Sequence, residues 1–261
     1  MADTTWKTAI TEVKPNQLRL RGYRIDQLMD RISFTQAIHL AVLGELPDAR
    51  KAKLLDNILV ASIDHGVTPP SCLTARTIAS TGGPLNAALA GGILSINRFH
   101  GGAIQNCMLM LQAAVERRRE QSESAEKAAL ALVKEYRAAK QRLPGYGHRV
   151  HNKDPRSQRL IAIARETGLT GDYLEMALAL EKAVAESLGK SLPLNVDGAI
   201  AALLCDLEIP DGLANAFFIM ARVPGLVAHI TEEQSRMRPM RIIDSREHSY
   251  DGHEPREGDA D

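Results

Sequence analysis

Apolar residues recur along most of this chain at intervals of three and four, the spacing of one face of an α-helix. The first clear stripe is Ala37, Ile38, Ala41 and Val42, in a helix predicted over 33–43 with Ser33 as N-cap. Gly44 ends that helix and Pro47 is expected to begin the next, over 48–64, with Leu54, Leu55, Ile58, Leu59 and Ala61 on its apolar side. Further helices are predicted over about 71–81, 84–98, 103–118, 125–141, 155–167, 171–188, 198–206 and 212–230, and a short one over 23–30. The segment 171–188 aligns Leu174, Ala177, Leu178, Leu180, Val184 and Leu188. Residues 1–22 read as a polar loop with one brief alternation, Leu18 and Leu20, and the tail from Asp244 as a polar strap. β-branched and aromatic runs are scarce and no fixed-period repeat recurs, so the class is all-α.

Composition narrows the function classes. The chain has 261 residues, enough for one large domain or two small ones. Its 32 Lys+Arg balance 32 Asp+Glu, which gives no support for a nucleic-acid or anionic-membrane partner. Cys72, Cys107 and Cys205 are widely spaced, suggest neither a zinc site nor a disulfide framework, and are expected to be buried and inert. The first residues lack the apolar core of a signal peptide, and no apolar run looks long enough to span a bilayer. A soluble protein of the reducing cytoplasm is expected. The stretch 84–98 is rich in Ala and Gly, which allows close helix approach within the subunit or across a dimer interface.

Candidate chemistry sits where the helical pattern breaks. Asp64-His65-Gly66, His100-Gly101-Gly102, Gly147-His148-Arg149 and Asn195-Val196-Asp197-Gly198 each fall at a helix end or loop. In 144–156 two glycines allow a tight turn, His148 can exchange a proton near neutral pH, and Asp154-Pro155 reads as N-cap and first residue of a helix. Arg156 then lies in the first turn, a planar fork suited to a carboxylate. With Arg222 and Arg238, these groups suggest a site for a polycarboxylate. Plainer roles exist: 144–156 as a solvated basic loop, His65 as a helix-end group, Asp197 as a cap and Arg222 in a surface ion pair. No P-loop, GxSxG elbow or strand-following GxGxxG is present.

The stretch PGYGHRVHNKDPR closely resembles the signature of the citrate synthase family. RGYRIDQLMDRISFTQAIHLAVLGELP, FHGGAIQ, LPLNVDG, ARVPGLVAHITEE and RMRP resemble that family's other segments, in order. Two departures point to a branch: where citrate synthases have HxDHE this chain has Ser62-Ile63-Asp64-His65-Gly66, and where they have NVDxxSG it has Asn195-Val196-Asp197-Gly198-Ala199-Ile200. Both features look like the citryl-CoA lyase branch, meaning the stand-alone lyases and the lyase module of ATP-citrate lyase. The ATP-grasp and CoA-ligase portions of the latter have no counterpart in the sequence, so ATP-dependent activation of citrate is not expected of it.

The resemblance implies a large helical domain, 1–100 with 208–261, and a smaller inserted CoA-binding domain, 101–207. It implies His100, His148 and Asp197 as the catalytic trio, and His65, Arg156 and Arg222 as ligands of the citryl or oxaloacetate part. Arg238 matches an arginine that reaches into a neighbouring subunit's site, and Arg149 is a candidate for the CoA phosphates. The implied reaction cleaves citryl-CoA to acetyl-CoA and oxaloacetate in a homodimer or larger homo-oligomer, with no metal or redox cofactor. A separate citryl-CoA synthetase is a possible partner. Citrate or 2-methylcitrate synthesis by the same residues is the alternative, and a non-catalytic binder of CoA or dicarboxylates a further one.

Overall fold

A computed structural model describes residues 6–147, 154–189 and 192–242 and the single residues 246, 249, 251 and 252. The chain opens on a small antiparallel meander, β1 (Thr11–Lys14), β2 (Gln17–Leu20) and β3 (Tyr23–Arg24), with Thr11 opposite Leu20 and Leu20 opposite Tyr23. This corrects the predicted loop over 1–22. All four β1 residues are exposed, so the segment has no apolar face for a two-residue alternation to reveal. The helix predicted over 23–30 contracts to α1 (Ile25–Leu28).

The helix ends follow the capping residues. Ser33 closes a capping box with Gln36 at the start of α2 (Phe34–Leu43), and Gly44 ends it in the left-handed region at φ 93°. Asp48, rather than Pro47, begins α3 (Ala49–Ala61) by accepting the backbone N–H of Arg50 and Lys51. There follow α4 (Pro70–Ser80), α5 (Leu85–Leu94), α6 (Ala103–Glu120), α7 (Ala125–Ala138), α8 (Pro155–Thr167), α9 (Asp172–Leu188) and α10 (Val196–Asp206). A 3-10 turn at Asp211–Leu213 then leads into α11 (Ala214–Arg236), which ends six residues later than expected.

Two apolar cores hold these helices. The larger one surrounds α10 and draws on α3, α6 to α9 and the start of α11. Ala199 to Leu204 are each at most 1% exposed, so α10 is apolar all round because it is buried all round. Burying each of its large side chains stabilises the fold by roughly 1.5–3 kcal/mol. The smaller core joins Cys72, Ala75 and Ala79 of α4, Ala88 of α5, and Leu226 and Ile230 of α11. Here the glycines of α5 act within the subunit: a Cβ on Gly91 would lie 2.2 Å from the Ile78 side chain, and one on Gly92 would lie 3.0 Å from the Ser71 carbonyl. Leu85 and Leu94, at the two ends of α5, are exposed.

Cys72, Cys107 and Cys205 are buried free thiols. Desolvation pushes Cys205 up to about 12 and Cys107 higher still. The expectation that no run could span a bilayer needs amendment. The segment Asp211–Arg236 reaches a mean hydropathy of 1.5 and is long enough by composition. It places Phe217, Ala221, Leu226 and Ile230 in the protein core together with Arg222 and Glu233, the pattern of an internal helix.

Candidate functional site

His100 stands in a tight turn between α5 and α6. Asn97 and His100 exchange backbone hydrogen bonds of 2.7 and 2.9 Å, and Gly101 follows at φ 96°. A Cβ there would meet Ile96 Cγ2 at 2.6 Å, so glycine is required on both counts. The turn aims His100 Nε2 at Ser71 Oγ, 2.8 Å away at the start of α4. Its ring meets Phe218 of α11 edge to face at 6.0 Å. Burial, then the charges of Arg222 and His65, lower the pKa of the imidazole.

The other face of this arrangement is Arg222, only 5% exposed. Its guanidinium lies 4.8 Å from the Phe218 ring, and its Nε donates to the Ser62 carbonyl at 3.0 Å. It is therefore no surface ion-pair partner. Gly225 makes that approach possible, since a Cβ there would sit 2.3 Å from the Ile63 carbonyl. The loop after α3 thus rests directly on α11, and it carries the exposed His65 three residues past the helix cap Ser62.

Asp197 lies in the first turn of α10, but Asn195 is the N-cap, its Oδ1 accepting the Gly198 N–H at 3.0 Å. Asp197 is thereby released from capping. Desolvation raises its carboxyl pKa, while Arg156, His65 and Arg222 pull it back down. The arm 144–147 packs beside it. Asn195 N donates to the Gly145 carbonyl (3.0 Å), Gly147 N to the Pro193 carbonyl (2.8 Å), and Asn195 Nδ2 to the Gly147 carbonyl (2.9 Å). Gly145 and Gly198 touch: a Cβ on Gly198 would lie 2.4 Å from the Gly145 carbonyl oxygen.

Arg156 occupies the first turn of α8 as predicted, and Asp154 is the N-cap. The sequence does not foretell what its fork does. Nε and Nη2 grip Asp154 at 3.1 and 2.9 Å. Asp154 is fully buried and also accepts the Val196 N–H at 3.2 Å. This one carboxylate therefore ties the N-termini of α8 and α10 together, and its arginine partner holds its pKa down.

Five of the eight predicted residues, His65, His100, Arg156, Asp197 and Arg222, thus fall within electrostatic reach of one another. Arg238 does not. It follows the end of α11, which rises about 21 Å between positions 222 and 236. His148 and Arg149 lie outside the described residues. Ser71 and Phe218 escaped the sequence reading because they are separated from His100 by 29 and 118 positions, and no local motif marks them.

Residues 42–243 match the family model for the citrate synthase C-terminal domain. The chain is similar to the citryl-CoA lyase of Hydrogenobacter thermophilus, with 40% identity, a TM-score of 0.87, and coverage of 97% of this chain and 96% of that one. It shares its fold with an ATP citrate lyase from Methanosaeta concilii, at 24% identity and a TM-score of 0.82, covering 98% of this chain and 43% of the larger one. A putative citrate synthase 2 of Mycobacterium tuberculosis is 34% identical over 215 residues, 80% of this chain and 54% of the relative. The chain spans about half the length of the curated relatives it matches.

Proposed function

Given that the chain belongs to the citrate synthase family, we propose that it is a citryl-CoA lyase, cleaving citryl-CoA to acetyl-CoA and oxaloacetate. The observation that carries the direction is its likeness to the Hydrogenobacter lyase, 40% identical across 97% of the chain. The clustered histidines, arginines and raised carboxylate supply the chemistry.

In this reading the tertiary hydroxyl of the citryl group gives its proton to His148 as the carbon–carbon bond breaks. The electron pair passes to the departing carbon, forming oxaloacetate and the enolate of acetyl-CoA. His100 donates a hydrogen bond to the thioester oxygen where negative charge collects. Because its Nε2 faces Ser71, the donor is Nδ1–H, and Nε2 accepts from the Ser71 hydroxyl. Its lowered pKa favours the neutral imidazole that this tautomer requires. Asp197, whose burial favours the protonated form, gives its proton to the enolate carbon. Arg222 holds a carboxylate, as does the Nη1 side of Arg156, whose Nε and Nη2 stay on Asp154; His65 lies beside them, and Arg149 meets the CoA phosphates. The scission is acid–base chemistry that calls for no metal or redox cofactor.

The same reading assigns His65, His100 and Arg222 to a large domain (1–100 with 208–261) and Arg156 and Asp197 to a small one (101–207), with closure shielding the enolate from water. It also makes the protein a homodimer. Exposed Leu94 of α5 and Leu73 of α4, whose neighbours Ser95 and Thr74 are hydrogen-bonded, offer an apolar patch for a second copy, whose active site Arg238 would enter. Light scattering of the purified protein reads this directly.

The decisive assay supplies citryl-CoA and follows oxaloacetate by its reduction to malate. In parallel, acetyl-CoA and oxaloacetate are supplied and thiol release is followed. Rapid oxaloacetate formation is expected. Citrate and free CoA from the second mixture, without cleavage in the first, would establish the synthase alternative instead.

A further inference from the structure

One chain of hydrogen bonds fastens to α11 two of the segments that bear candidate carboxylate ligands, the loop of His65 and the strap of Arg238. Asp64 precedes His65. Its Oδ2 accepts the Gly66 N–H at 2.9 Å, closing the turn, and its Oδ1 lies 3.0 Å from His229 Nε2 on α11. His229 Nδ1 is 3.4 Å from Arg76 Nη1 on α4. Arg76 continues to Glu233 through Nε (2.6 Å) and to Glu232 through Nη1 (3.2 Å). Glu233 in turn accepts from Arg241 Nε at 3.0 Å. Arg241 and Met240 belong to the strap 237–242, which carries Arg238 and is pinned to Ser80 by two backbone N–H bonds of 3.2 and 2.7 Å.

The chemistry of these partners fixes the state of the imidazole. A guanidinium can only donate, so Nδ1 of His229 must present its lone pair. The ring proton therefore sits on Nε2 and is donated to Asp64. His229 thus bridges a cation and an anion. The loop it holds has little freedom of its own, because its Ile63 carbonyl is already pressed against Gly225.

We propose that His229 is a positioning residue. It locks Asp64, Asp64 shapes the turn, and the turn presents the His65 imidazole to the substrate. Arg76, Glu233 and Arg241 extend the same framework to the strap. This inference rests on the substrate-binding role given above to His65.

Oxaloacetate binding to the full chain, measured by calorimetry, tests it. Gln places a donor near the Nε2 position of histidine, and Asn places a group near Nδ1. H229A and H229N are expected to weaken oxaloacetate binding about tenfold, and H229Q to restore it to within about threefold of wild type. In citryl-CoA turnover the loss should fall on KM, with kcat changed less than about twofold. Wild-type affinity in all three variants overturns the proposal, whatever their melting temperatures do. So does equal weakening without rescue by Gln, or failure of the wild type to bind oxaloacetate. A wild type that binds oxaloacetate without cleaving citryl-CoA refutes the reaction assigned above, while the order of affinities among the variants still decides the role of His229.

Discussion

Replacing Gly198 by alanine tests how the arm at 144–147 is fixed to α10. The new methyl would lie 2.4 Å from the Gly145 carbonyl oxygen, 2.6 Å from Leu194 Cδ1 and 3.0 Å from the Gly145 carbonyl carbon. Leu194 can turn aside; the Gly145 backbone is held by its bond from Asn195 N and sits against Cys107 and Gly198. Overpacking of this kind typically costs about 1–3 kcal/mol. Alanine is the better helix former by about 1 kcal/mol. A 2.4 Å contact with fixed backbone belongs in the upper part of the overpacking range, about 2–3 kcal/mol, so the net is a loss of about 1–2 kcal/mol, or about 2–8 °C in melting temperature for a chain of this size. Separation of the arm would also disturb the loop that continues to His148, so turnover should fall alongside stability. Calorimetry and the citryl-CoA assay read the two effects. Gly212→Ala, where a Cβ meets nothing within 4 Å, serves as control and should be neutral. A G198A protein as stable and active as the wild type would refute the claim that this backbone contact is rigid.

Four further outcomes are expected. Asp197→Asn should lower kcat by on the order of 10²–10⁴ yet raise the melting temperature at pH 7. Above its raised pKa the native state must carry a desolvated carboxylate that the unfolded chain hydrates, so stability is lost as pH rises through that value; a D197N protein less stable than wild type at pH 7 contradicts this. Ser71→Ala should reduce kcat up to about tenfold, the worth of one hydrogen bond, with KM little changed; unaltered kinetics would remove Ser71 from the site. Glu233→Ala leaves Arg76, 4% exposed, without its buried partner and should cost about 3–5 kcal/mol in denaturant titrations. Native protein should resist a thiol reagent at neutral pH until denatured, since all three cysteines are buried; rapid labelling would show otherwise.

Much of the helical framework was legible in local residue chemistry. Ser33, and Asp154 before Pro155, each carry the signal of a helix start within a few positions, and the structure uses both; α10 instead starts two residues ahead of the expected 198, on Asn195 rather than Asp197. The meander at 11–24 was not legible, because its first strand buries nothing and so has no apolar period. The site divides in the same way. That Arg156 lies in a first turn follows from its neighbours; that its fork closes on Asp154 does not. Arg222 gave no sign of being buried, because the Phe218 ring beside it lies one turn earlier and the Ser62 carbonyl 160 positions away. Nothing near His229 in the sequence marks its role, which comes from Asp64 and Arg76 on its two nitrogens. Contacts that depend on chain segments far apart in sequence have no local signature.

α11 carries Arg222 within it and Arg238 just past its end. A helix advances 1.5 Å and turns 100° for each residue, so the span between those two arginines is set by a count of residues. Substitutions along this stretch leave the count alone. One inserted or deleted residue would swing the strap by more than a quarter turn and carry Arg238 out of line, even if every helix contact reformed. Between positions 222 and 238 a change of length therefore moves the strap even where a change of letter would not.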